Sequence, residues 1–92
     1  MTPPIVDKEQ LISLFLRLAS VDGVSLAERL IADEVSTILR AAGVHVIEDS
    51  TGRTVGGTAG NLFCFPSAFD PAKPSVVLTA HLDTVLPTAH LV

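Results

Sequence analysis

An apolar run that ends in a polar pair constrains the fold of this chain more than any other stretch. The run Val76–Leu78 lies within Ser75–Val85, and His81 and Asp83 follow it closely. A short run rich in β-branched residues predicts a strand that is buried on both faces. Such a strand needs neighbouring strands and covering helices. Because ligands bind beyond the carboxyl ends of strands in open α/β sheets, we expect the polar pair to lie at a site of chemistry.

The composition argues against several classes of protein. The net charge is −4, and the six lysine and arginine side chains form no cluster, which argues against binding to nucleic acid or to an anionic membrane. The first residues lack the pattern of a signal peptide, and no apolar run approaches the roughly 18 residues of a membrane span. We therefore expect a soluble, cytoplasmic protein. The single cysteine, Cys64, excludes an internal disulfide and is expected to be a small buried hydrophobe.

Two helices are predicted in the first half of the chain. Two pairs of residues have the spacing of a capping box, in which a side chain accepts from a first-turn N–H: Asp7 with Gln10, and Ser25 with Glu28. Apolar residues then recur every three or four positions, which predicts amphipathic helices over about residues 7–19 and 26–42. Gly43 is a suitable residue to end the second helix.

Two short strands are predicted after the helices. Val44–Glu48 and Asn61–Phe65 are expected to pair antiparallel, with His45 on the solvent face of the first strand. Residues 49–52 are predicted to form a turn, and the glycine-rich residues 53–60 to be irregular or to form a weak edge pairing. With Ser75–Val85 as a central third strand, the element order predicts an α/β fold: two helices followed by about three strands of a mixed sheet.

His81 and Asp83 are the candidate functional residues. Residues i and i+2 at the end of a strand point to the same side, so an imidazole and a carboxylate would converge there. Both could bind a metal, or the carboxylate could orient the imidazole as a metal ligand. The alternative is that His81 ends a strand and Asp83 starts a turn. His45 and His90, the other histidines, are not expected to be ligands.

Three segments resemble the aminoacylase, carboxypeptidase and tripeptidase family of zinc metallopeptidases, and within it the peptidase T-like branch. Ala80–Val85 is similar to the family's first metal motif, and it also follows an apolar strand-like run. Gly57–Leu62 resembles the Gly-Asn-Leu entry into a strand, and Glu28–Leu39 with Gly43 resembles the second helix. The resemblance covers about residues 8–88.

This resemblance implies that residues 1–92 are one incomplete domain, the N-terminal part of a zinc-peptidase-type α/β/α catalytic domain. It implies that His81 is a zinc ligand and that Asp83 is the catalytic-site residue that orients it. Family sites hold two zinc ions and act on a peptide or an N-acylated amino acid. The remaining ligands and the glutamate base lie further along the family's chain, so we expect little or no hydrolysis by these residues alone. The alternative is a non-catalytic interaction or vestigial module that self-associates through exposed sheet edges.

Overall fold

The computed structural model describes residues 3–92 and shows an α/β arrangement, which confirms the predicted class. This part of the chain contains, in order, Lys8–Ala19 (α1), Arg29–Ala41 (α2), His45–Glu48 (β1), Thr51–Val55 (α3), Leu62–Phe65 (β2) and a 3-10 helix at Ala89–Leu91. None of the helices in residues 3–92 combines the length and the apolar character needed to cross a membrane.

Helix α1 begins where the sequence predicts. The Asp7 carboxylate accepts a hydrogen bond from the backbone N–H of Gln10 at 3.1 Å, which satisfies one of the free donors of the first turn. At the other end, the Ser20 hydroxyl donates to the Arg17 carbonyl at 2.6 Å. The Arg17 side chain also pairs with Glu34 at 2.5 Å. Helix α1 is therefore joined to α2 by a surface ion pair, and none of its residues is buried.

The predicted cap of α2 is wrong. The cap residue of α2 is Glu28, and the Ser25 hydroxyl donates to the Asp83 carboxylate instead of accepting from the first turn. Glu28 instead accepts from the N–H of Leu26 at 2.7 Å, and the helix begins at Arg29, later than predicted. The N–H of Arg29 is satisfied by the Thr58 hydroxyl at 3.0 Å. A side chain distant in sequence thus replaces the local cap.

The core lies where α2 packs on β1. Ile31 and Ala32 of α2 and Val46 of β1 are its buried hydrophobic residues, and Ser36 is buried on α2. Only small and branched aliphatic side chains are enclosed, so the contact stabilises this helix–strand pair but covers little of the remaining apolar surface.

Strands β1 and β2 pair antiparallel, as predicted, with His45 opposite Phe65 and Glu48 opposite Leu62. His45 is exposed and the adjacent Val46 is buried, so His45 faces solvent as expected. The prediction of a buried Cys64 is wrong, because this thiol is exposed. Cys64 lies on β2, which is an edge strand of the two-stranded sheet in residues 3–92.

The predicted central strand does not form in the described chain. The run Val76–Leu78 has no strand partner, and its three side chains are 87%, 79% and 91% exposed. The sheet in residues 3–92 is therefore two-stranded and antiparallel rather than mixed. Apolar patterning favours burial, but a strand forms only where a neighbour accepts and donates its backbone hydrogen bonds. Among residues 3–92 no such neighbour lies beside this run. The parallel bridge between Val24 and Thr84 lies further along the chain.

The connection between the two strands is more ordered than the sequence predicts. Thr51–Val55 is helical, and Gly56 ends this helix with a φ of 75°, a left-handed conformation that favours glycine. The Asp49 carboxylate accepts from the Thr51 hydroxyl at 2.7 Å and from the Asn61 N–H at 2.7 Å. These bonds lower the pKa of Asp49 to about 2, with the Thr51 hydroxyl as the largest cause.

A bidentate ion pair connects α2 to the end of β1. The guanidinium of Arg29 donates to both carboxylate oxygens of Glu48, at 2.7 and 2.6 Å. The N–H of Gly60 donates to the same carboxylate at 3.1 Å. These bonds, with Arg29 as the largest cause, lower the pKa of Glu48 from 4.5 to about 2. Arg29 also pairs with Asp33 at 2.7 Å, so one guanidinium serves two carboxylates.

The shifted pKa of Glu48 predicts an acid-sensitive step in stability. Because the folded-state pKa is depressed, this contribution is complete above pH 4.5 and is lost as the pH falls toward about 2. We expect Glu48→Gln to reduce the slope of the free energy of unfolding against pH in that window. Urea unfolding at a series of pH values measures this slope. The control is Glu9→Gln, since Glu9 is exposed and forms no ion pair within residues 3–92. Equal slopes in wild type and Glu48→Gln would contradict the assignment.

Gly60 is predicted to be required for the close approach of two backbone segments. A Cβ at this position would lie 2.0 Å from the carbonyl oxygen of Asp49, a contact that only a backbone shift could relieve. We expect Gly60→Ala to lower the free energy of unfolding by about 1–3 kcal/mol. Gly57→Ala is the matched control, because its Cβ would meet atoms no closer than 3.5 Å. Urea unfolding of both variants checks this, and equal loss in both would show that the close approach is not the cause.

Candidate functional site

His81 and Asp83 come together, although the segment that carries them is not a strand. The Nδ1 atom of His81 lies 2.8 Å from the carbonyl oxygen of Asp83 and 3.1 Å from its Oδ1. Both of these neighbours are oxygen acceptors, so this nitrogen carries the proton in the neutral ring. The lone pair of the imidazole is then on Nε2. The His81 side chain is 84% exposed, which leaves Nε2 accessible to a ligand.

The second oxygen of the Asp83 carboxylate has its own partner. Its Oδ2 accepts a hydrogen bond from the Ser25 hydroxyl, 58 residues earlier in the chain. This hydrogen bond is the largest cause that lowers the pKa of Asp83 below its usual 3.8, and the nearby His81 ring contributes further. Sequence reasoning missed Ser25, because the spacing of Ser25 and Glu28 indicated a helix cap. No local signal relates two residues so far apart.

The loop between α1 and α2 holds this segment in place. The N–H of Thr84 donates to the Gly23 carbonyl at 2.8 Å, and the N–H of Ser25 donates to the Thr84 carbonyl at 3.2 Å. These bonds form the parallel bridge of Val24 with Thr84. Gly23 is suited to this position, since a Cβ there would lie 2.8 Å from the side chain of Ile31. Main-chain hydrogen bonds thus fix the distance between Ser25 and Asp83.

A second contact anchors the segment a few residues further on. The Asp22 carboxylate accepts from the N–H groups of Thr88 and Ala89 at 3.0 and 2.9 Å. The Thr88 hydroxyl donates to the carbonyl of Ala19 at 2.7 Å. This contact lies at the start of the 3-10 helix and satisfies its first donors. The site segment is therefore held on the α1–α2 loop at two points.

The described residues could supply one metal ligand but not a complete metal centre. Within residues 3–92, no group of three or more His, Cys, Asp and Glu side chains could hold a metal ion. His45 lies on β1 and His90 in the 3-10 helix, and neither belongs to such a group. A catalytic zinc site uses three protein ligands with a water molecule in the fourth position. In His81, Nδ1 contacts the carbonyl and carboxylate oxygens of Asp83, and carbonyls and carboxylates are also the groups that orient metal-binding histidines in general.

Comparison with known proteins indicates a peptidase-related segment. The chain is 36% identical over 84 residues to a probable carboxypeptidase of Emericella nidulans, and 31% identical over 83 residues to one of Aspergillus clavatus. It is also 31% identical over 83 residues to an uncharacterized protein of Bacillus subtilis. Each match covers 90% of this chain but only 19%, 18% and 22% of the respective relative. The chain thus spans about a fifth of the length of these relatives. No family model and no solved structure matches it.

Proposed function

We propose that this chain supplies one zinc ligand, His81, and its orienting carboxylate, Asp83, to a metal-dependent peptide or amide hydrolase of the peptidase T-like type. The observation that carries the proposal is the pair of contacts from Nδ1 to the oxygens of Asp83, at 2.8 and 3.1 Å, beside an exposed Nε2. The likeness to probable carboxypeptidases supports the class of reaction. The substrate would be a peptide or an N-acylated amino acid.

Each residue of the pair has a distinct part in this proposal. When bound, zinc polarises a carbonyl group and lowers the pKa of a bound water. His81 would bind the metal through Nε2. Asp83 keeps the proton on Nδ1, fixes the direction of the ring and raises its basicity as a ligand. Neither residue abstracts a proton from substrate, so the catalytic base and the other ligands of two zinc ions would come from other residues of the complete enzyme.

Zinc titration of the histidine-labelled chain tests the proposal. We expect Zn²⁺ to shift the ring resonances of His81 in NMR spectra before those of His45 and His90, which serve as internal controls. A chelator should reverse the shift, and His81→Ala should abolish it. Asp83→Ala should weaken the binding by about 10-fold, as expected for loss of a partner that orients a ligand. Equal shifts of all three histidines, unchanged in the His81→Ala chain, would contradict a site at His81.

A second candidate function is association through the apolar run. We propose that Val76–Leu78 pairs with an edge strand of a second copy of the chain, as an interaction module would. The observation that favours it is the exposure of the run, 79% or more for each side chain, together with its lack of a strand partner among residues 3–92. An apolar segment rich in β-branched residues that lacks a strand partner can be recruited by strand addition to an exposed sheet edge.

A single charge in the run should weaken this association. We expect Val77→Lys to lower the weight-average mass found by size-exclusion chromatography with light scattering, because a lysine opposes both strand pairing and apolar burial. The matched control is Val6→Lys, which places the same charge at an exposed valine outside the run. A wild-type chain that is monomeric at high concentration would exclude the second candidate and leave the metal proposal unaffected.

A further inference from the structure

We propose that Ser25 is a positioning residue of this site, acting through Asp83 on the orientation and tautomer of His81. The Ser25 hydroxyl donates to Oδ2 of Asp83, and Oδ1 of the same carboxylate lies 3.1 Å from Nδ1 of His81, beside the Asp83 carbonyl oxygen at 2.8 Å from the same nitrogen. The carboxylate is thus the second of two acceptors that hold Nδ1, and it is the one that Ser25 orients. The three side chains form one relay across two segments of the chain. The positioning role of Ser25 rests on the proposed function only in one respect, namely that Nε2 of His81 binds a zinc ion.

The relay fixes a side chain that is otherwise free to turn. An aspartate carboxylate rotates broadly about its last torsion, so one hydrogen bond to one oxygen leaves its plane poorly defined. Here each oxygen has a different partner, Ser25 on one side and His81 on the other. The side chain of Asp83 is 38% exposed, so water competes for it wherever a protein donor is lost. Ser25 therefore supplies the contact that orients the carboxylate toward the ring.

Ser25 is itself held by the main chain. Its N–H donates to the Thr84 carbonyl at 3.2 Å, next to the bond between the Thr84 N–H and the Gly23 carbonyl at 2.8 Å. A backbone bridge thus places the Ser25 hydroxyl beside Asp83, the residue before Thr84. The same pair of hydrogen bonds therefore positions both Ser25 and Asp83, which is next to Thr84.

The direction of the hydrogen bond between Ser25 and Asp83 distinguishes the proposed role of Ser25 from that of a helix cap. A capping hydroxyl accepts a hydrogen bond from a first-turn N–H, whereas an ionised carboxylate can only accept, so the Ser25 hydroxyl is the donor in its bond to Asp83. Helix α2 begins four residues after Ser25, and the N–H of its first residue, Arg29, is satisfied by Thr58. Loss of the Ser25 hydroxyl is therefore expected to affect the site and not the start of the helix.

Nitrogen-15 NMR of the full chain with labelled histidine tests the inference. In the metal-free state we expect wild type to hold the proton of neutral His81 on Nδ1, and Ser25→Ala to lower the fraction of that tautomer. Zn²⁺ binding at His81 should weaken by about 10-fold in the same variant. Ser25→Thr keeps a hydroxyl and should retain both properties. Ser20→Ala is the control, because it removes a serine hydroxyl that donates to the Arg17 carbonyl at the end of α1, away from Asp83.

An isosteric pair keeps the test valid if Ser25→Ala perturbs the fold. Threonine and valine at position 25 have nearly the same shape, and valine has a methyl group where threonine has the hydroxyl, so Ser25→Val should show a lower fraction of the Nδ1 tautomer than Ser25→Thr. The same tautomer fraction in both variants would overturn the inference. A tautomer change in a chain whose His81 does not bind Zn²⁺ would support the positioning role and reject the proposed zinc function.

Discussion

The two main-chain hydrogen bonds between the α1–α2 loop and Thr84 are the interaction on which the candidate site depends. They join the Gly23 carbonyl to the Thr84 N–H at 2.8 Å, and the Thr84 carbonyl to the Ser25 N–H at 3.2 Å. Without them, the Ser25 hydroxyl and the Asp83 carboxylate would be separate groups on distant segments. With them, a hydroxyl, a carboxylate and an imidazole are aligned, and the backbone rather than side-chain packing sets their spacing. Ser25, which orients the Asp83 carboxylate, therefore lies on the α1–α2 loop, and that loop and the segment with Asp83 hold each other in place.

Polar contacts organise the rest of the described chain as much as burial does. The enclosed aliphatic group where α2 meets β1 is small. Around it, one guanidinium, Arg29, reaches the carboxylates of Asp33 and Glu48, and Asp49 gathers the donors of Thr51 and Asn61. Isolated surface ion pairs contribute little to stability, but a bidentate pair joined to backbone donors is better defined. These contacts fix how α2 approaches the two-stranded sheet, and therefore where the loop that precedes α2 lies.

The apolar run before the site has the sequence pattern of a buried strand, but residues 3–92 do not bury it. Val76–Leu78 is exposed, whereas the polar pair that follows is held in place. The segment is therefore anchored on its polar side and uncovered on its apolar side. A longer polypeptide or a second chain would satisfy the same requirement, because both offer strand partners and apolar cover. The proposed metal site and the proposed association thus arise from two ends of one segment.

The sequence by itself determined the features that depend on neighbours along the chain. These are the cap of α1 by Asp7, the extents of β1 and β2 to within a residue, the solvent face of His45, and the convergence of His81 with Asp83. Their physical causes are local: a first-turn hydrogen bond, the two-residue period of a strand, and the reach of one side chain over two residues. Only the tertiary structure decided that Ser25 donates to Asp83 instead of capping a helix, that Cys64 is exposed, and that Val76–Leu78 has no strand partner among residues 3–92. Each of these outcomes depends on which distant groups are present to bond or to cover, and a pattern of residue types cannot specify that.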